Sequence, residues 1–118
     1  MARAYGFDGS AGFSFATNIG TGTGDTDLVA TPGASRRLVV QVLTVVITTA
    51  AAQAFNIEDD GGSAVVLFAA PASLAAGTYV VDAGPLGVAL TANTALEYDA
   101  AAAGVGLTIS GFGYIREA

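Results

Sequence analysis

Glu97 and Asp99 stand two residues apart in Leu96-Glu97-Tyr98-Asp99, where strand spacing would put both carboxylates on one face. Their α-carbons would lie about 7 Å apart, from the rise per strand residue. Paired carboxylates at such separations can hydrolyse glycosides. Alternation against Leu96 and Tyr98 explains the same pattern as a solvent face, and small all-β hydrolases normally show an aromatic-lined groove, whereas this chain has no tryptophan. A second acidic set, Asp25 and Asp27 with Glu58-Asp59-Asp60, offers oxygen ligands of the kind calcium prefers. The loop Glu58-Asp59-Asp60-Gly61-Gly62 lacks the alternating acid spacing of a calcium-binding loop. Acids beside a hairpin tip read first as solvated turn formers.

Other chemistries are excluded by missing side chains. The chain has no histidine, no cysteine and no lysine. No Ser-His-Asp or Cys-His arrangement is available, and zinc and similar metals lack nitrogen and sulfur ligands. Gly20-Thr21-Gly22-Thr23-Gly24 has neither the Gly-Lys-Ser/Thr ending of a phosphate loop nor dinucleotide-binding spacing. No cofactor is expected, and the chain reads as a non-enzyme. Tyr5, Tyr79, Tyr98 and Tyr114 could stack on sugar rings, or could be half-buried core and interface residues.

The elements that would position these groups are strands. Val, Ile and Thr dominate Arg36 through Thr48, and such residues favour a pleated surface. Leu38, Val40, Val42, Thr44, Val46 and Thr48 are expected on one face, with Arg37, Val39, Gln41, Leu43, Val45 and Ile47 on the other. Both faces are largely apolar, so the strand is central or covered by another subunit. Leu38–Phe55 reaches membrane-spanning length, but its polar residues and valines favour a strand and a connection. A hairpin over 53–69 follows from strand-like runs on either side of Asp60-Gly61-Gly62. Further strands are expected at 27–31, 78–82, 88–90, 95–99 and 105–115. Gly111 and Gly113, bracketing Phe112, predict a bulge or a close backbone approach. About eight strands separated by turn signals, with no long helix, indicate an all-β antiparallel sandwich or barrel.

Residues 1–24 form a distinct segment, either a strand pair packed on the domain or an extended N-terminal arm that orders on a partner, ending in a Gly/Thr linker. Tyr5 and Phe7 alternate, as do Phe13 and Phe15. Residues 25–118 form the sandwich domain. Met1–Gly6 lacks the apolar core of a secretory signal, so none is expected.

Charge and hydropathy point to self-association. The 118 residues are 53% hydrophobic, with mean hydropathy +0.60 and only 12% charged, against about 25% charged in typical domains. So little polar surface would barely cover a lone globule, and burial of apolar surface between copies resolves this. The net charge is −6, and Arg36-Arg37 is the sole adjacent basic pair. Direct nucleic-acid binding and attachment to an anionic membrane are therefore not expected.

From Asp27 onward the chain resembles the small jelly-roll capsid decoration, or cement, proteins of tailed bacteriophages. The resemblance rests on Leu28-Val29-Ala30-Thr31-Pro32-Gly33-Ala34-Ser35-Arg36-Arg37-Leu38-Val39-Val40 and on the hairpin with Phe55 before its acidic glycine turn. It also rests on the ending, with Gly84-Pro85-Leu86-Gly87, Asn93-Thr94-Ala95-Leu96-Glu97-Tyr98 and Gly106 through Ile115. It covers about three quarters of the chain. The Glu58-Asp59-Asp60 turn and the Gly-Thr linker depart from it. The resemblance implies a jelly-roll sandwich, a homotrimer on the outer surface of the virion's capsid, and the major capsid protein as partner. Arg3, Tyr5, Phe7, Phe13, Phe15, Arg36 and Arg37 are the candidate capsid or subunit contacts. A sugar- or receptor-binding sandwich on a virion or tail is the alternative.

Overall fold

A computed structural model of the chain describes residues 11–20, 25–49, 53–60, 65–100, 102 and 104–118. Among them the chain is all-β, with no helix. Its strands are β1 (Ala11–Ile19), β2 (Thr26–Val29), β3 (Arg36–Ile47), β4 (Phe55–Asp59), β5 (Val66–Ala70), β6 (Gly77–Asp82), β7 (Val88–Ala89), β8 (Leu96–Ala100) and β9 (Leu107–Glu117). They form two antiparallel sheets. One has the order β1-β9-β3-β6, with the short β7 also on β3; the other has the order β2-β8-β4-β5. The pairings are nested: β1 with β9, β2 with β8, β3 with β6, and β4 with β5 innermost.

The apolar stretch 38–55 is strand β3, a connection, and the first residue of β4. The hairpin over 53–69 is β4 and β5; its turn residues 61–64 lie outside the described set. Of residues 1–24, Ala11–Ile19 form β1, which among the described residues is the terminal strand of the larger sheet and pairs with β9 without a register shift. The Tyr5/Phe7 alternation and most of the Gly/Thr linker lie outside the described residues.

The core fills the space between the layers. Leu43, Val45, Ile47, Leu107 and Ile109 from the larger sheet meet Leu28, Phe55, Ile57, Leu96 and Tyr98 from the smaller. An aromatic chain crosses the gap: the Tyr98 and Phe55 rings lie 5.3 Å apart, Phe55 and Phe68 5.9 Å, and Phe68 and Tyr79 5.9 Å.

The simple two-face reading of β3 does not hold. Its register against β9 shifts between Val40 and Val42. Leu38 and Val40 face the core before the shift; Leu43, Val45 and Ile47 face it afterwards. The extra residue of a bulge changes the parity of every side chain beyond it. Gly111 and Gly113 sit opposite this bulge, as their spacing predicts. A Cβ on Gly111 would lie 2.5 Å from the Val42 carbonyl oxygen, and one on Gly113 would run into the Val39 carbonyl. The rings of Phe15 and Phe13, their partners on β1, occupy the space beside these two glycines. Val39, which points outward, is buried by Gly87 packed on its side chain. That loop is tied down where Gln41 Nε2 donates to the Pro85 carbonyl at 2.8 Å and the Tyr114 hydroxyl donates to Leu86 at 3.2 Å.

The backbone contact at Gly113 sets an expectation for mutagenesis. Gly113→Ala forces β9 away from β3 and is expected to cost about 2–3 kcal/mol, the range for overpacking a close contact. Ser14→Ala, on the exposed side of β1, is expected to change stability by less than about 0.5 kcal/mol. Urea unfolding midpoints of the two variants check this.

Candidate functional site

The outer face of the smaller sheet gathers acids that are far apart in sequence. Asp27 of β2 lies opposite Glu97 of β8, and Glu97 lies opposite Glu58 of β4. One row across three strands thus carries a carboxylate at each step. Asp99 is on the same face one row along, opposite Asn56, and Asp60 joins just after β4. Carboxylate oxygens of Asp27, Asp60 and Glu97 lie within 4.8 Å of one another, as do those of Glu58, Glu97 and Asp99. No arginine of the described residues shares this face. The described arginines lie at the start of β3 and the end of β9.

Several of these groups hold structure. Asp59 points into the protein and is fully buried. It accepts from the Val65 amide at 3.2 Å and the Thr91 amide at 2.8 Å, joining the β4–β5 hairpin to the loop before β8. Asp59 is therefore not the solvated turn former that its neighbours in sequence suggest. Asp25 accepts from the Ala100 amide at 3.2 Å, and Asn56 donates to Glu58 at 3.1 Å.

Crowding without a counter-charge shifts proton affinity. Partial burial, then the negative charges of Asp60, Asp99, Asp25 and Asp27, push Glu97 from 4.5 up to about 7. Burial, then hydrogen bonds with the Asp25 and Glu58 carboxyls, raise Asp99 from 3.8 to about 6. Glu97 and Asp99 thus hold their protons above the normal carboxylate range. The oxygen spacing also suits a hard, oxygen-seeking cation. A shallow depression of about 320 Å³, lined by Ala54, Phe55, Asn56 and Asp99, lies beside the cluster. It offers no aromatic-walled groove for a glycan.

The described tyrosines are buried or tied to backbone. Tyr98 is fully buried, its hydroxyl without a hydrogen-bond partner among the described residues. Tyr79 donates to the Ala75 carbonyl at 2.8 Å and packs on Phe68. Tyr114 is half-buried and tied to Leu86. Tyr5 lies outside the described residues. No exposed tyrosine platform forms among those described.

The opposite outer surface, on the larger sheet, carries a largely uncharged area, with Arg37 and Arg116 farther along β3 and β9. Ser14, Phe112 and Val42 form one row, Ala16, Ser110, Thr44 and Val80 the next, and Asn18, Thr108, Val46 and Thr78 a third. Phe112 is 47% exposed and Val80 60%. Asp82, at the end of β6, pairs with Val42 and closes the first of these rows, and it accepts from the Gly84 amide at 3.0 Å.

The expected contact residues divide between these places. Phe13 and Phe15 turn into the sandwich and pack on its core. Arg36 is exposed and lies 3.6 Å from the Glu117 carboxylate. Arg37 donates to the Leu90 carbonyl at 3.3 Å and faces Arg116 across the strands. Arg3, Tyr5 and Phe7 lie outside the described residues.

The acidic face was visible in the sequence only in fragments. Glu97 and Asp99 read as a pair, and Asp25, Asp27 and Glu58–Asp60 as another set. Only the register of β2, β8 and β4 merges them. No protein-family model matches the chain, and no curated protein matches it.

Two expectations follow. Folded Glu97 and Asp99 bind protons more tightly than in the unfolded chain. Unfolding therefore releases protons between about pH 4 and pH 7, and stability falls as pH rises through that window. Melting temperatures measured from pH 4.5 to 8 should decline, and Glu97→Gln should flatten the decline. Asp59→Ala removes the shared acceptor of the Val65 and Thr91 amides and empties the space its buried side chain fills. It is expected to cost about 1–3 kcal/mol by urea unfolding, the range for losing a buried hydrogen-bonding partner.

Proposed function

We propose that this protein is a non-enzymatic capsid decoration protein, a homotrimeric jelly-roll that binds the outer surface of a phage head through the major capsid protein and stabilises it. The nested pairing β1·β9, β2·β8, β3·β6 and β4·β5 is the winding that a jelly-roll requires, and supports that form of the sandwich. The observation that carries the reading is the contrast between the two outer faces. One is acidic. The other is largely uncharged across its central rows and leaves Phe112 and Val80 in solvent. A solitary protein gains nothing from such a face, whereas an assembling one buries it. The acidic face keeps free protein soluble. Repetition over a symmetric shell then multiplies modest contacts into firm attachment.

The sugar- or receptor-binding alternative draws no support from the tyrosines, whose described members are buried or tied to backbone.

Sedimentation velocity at micromolar concentration and co-pelleting with undecorated heads test the reading together. A trimer that pellets with heads and raises their disruption temperature is expected. A stable monomer, or a protein left in the supernatant, contradicts it.

A further inference from the structure

We infer that copies of this chain join head to tail, with β1 of one copy adding to β6 of the next, so that the uncharged face lines the interior of the ring. This rests on the homotrimeric reading above and goes beyond it by naming the seam.

The four sheet edges are not alike. β2 has four residues, a register shift, and Asp25 and Asp27 at its edge. β5 has five residues and a register shift against β4. Short strands, irregular pairing and edge charges are the devices that stop strands from recruiting others. β1 has none of them. It runs nine residues, Ala-Gly-Phe-Ser-Phe-Ala-Thr-Asn-Ile, without charge or proline, in unbroken register with β9. β6 is six residues long, also in unbroken register with β3, and its one charge is at its last residue, Asp82. Among the described residues no strand lies beyond either of them. Both edges that lack protection belong to the same sheet, at its opposite ends.

Strand direction permits their union. β1 is antiparallel to β9, β9 to β3, and β3 to β6, so β1 and β6 run in opposite directions. Rotation about an axis along the strands brings β6 beside the next copy's β1 in antiparallel sense. The same-face rule then continues across the seam, with Ala16 and Val80 both on the uncharged side. A head-to-tail contact closes into a ring when the rotation permits.

The two complementary edges make a second copy the occupant, and the placement of charge permits it. Each chain carries −6, and its clustered carboxylates lie on the far sheet. A ring joined through the larger sheet keeps those clusters outermost and as far apart as the assembly allows. Two copies meeting through β1 alone would leave Phe112 and Val80 in water.

The chain has no cysteine, so introduced thiols report one contact at a time. Adjacent strands bring paired α-carbons to about 4.5–5.5 Å, within disulfide reach. Ala16→Cys is combined in turn with Thr78→Cys, Val80→Cys and Asp82→Cys, all exposed positions, and oxidised with copper phenanthroline. At least one combination is expected to give a non-reducing ladder ending at a covalent trimer, while each single variant stays uncross-linked. Dimers from Ala16→Cys alone would show β1 pairing with itself and overturn the proposal. A trimer in sedimentation with no cross-link from any combination would overturn the seam and leave the trimeric reading standing. A monomer in sedimentation would end both.

Discussion

The close approach of β3 and β9 at Gly111 and Gly113 is the constraint from which the rest follows. The two longest strands of the larger sheet pair along most of their length, and the β3 bulge between Val40 and Val42 is accommodated where β9 has no side chain to clash. The bulge resets parity. Leu38 and Val40 on one side, and Leu43, Val45 and Ile47 on the other, can then all reach a single core. Without the reset, one half of β3 would turn its aliphatic residues to solvent. The glycines leave space in turn for Phe13 and Phe15, which binds β1 into the sheet through ring packing as well as backbone bonds.

That arrangement separates the two outer surfaces chemically. Once the core takes the large aliphatics, the larger sheet presents Ser, Thr, Ala and Val outward, with Phe112 among them. The smaller sheet presents Asp27, Glu58, Glu97 and Asp99. The acids are held together by strand register and by backbone amides, with Asp59 and Asp25 serving as fixed acceptors at the ends of the strands. Burial, and then the charge of neighbouring acids, raises the proton affinity of Glu97 and Asp99, a cost that the packed layers beneath must offset.

Much of the fold was legible in the residues. Valine-rich runs, Asp-Gly turns and the alternation of Leu96, Glu97, Tyr98 and Asp99 fixed strand positions closely, because each is a local signal. The paired glycines around Phe112 announced the close approach. What the sequence hid was long-range. The inversion of faces in β3 depends on a bulge set by its partner strand. The acidic face depends on three strands separated by as many as seventy residues (Asp27 to Glu97) meeting in one row. Asp59 reads like its exposed neighbour Asp60, and only the loop packed over it shows why it is buried. The N-terminal aromatics suited an arm as well as a strand, and the place of Phe13 and Phe15 in the larger sheet depends on pairing with β9, far along the chain.

The central claim is that the uncharged face of the larger sheet is covered by another copy in the working protein. Hydroxyl-radical footprinting of Phe112 across a concentration series reads that face directly. In an isolated chain the ring is about half exposed. Labelling that drops several-fold as the protein assembles, while the exposed Leu86 keeps its rate, is the expected result. A Phe112 labelled at the same rate from nanomolar to high micromolar concentration would contradict the account.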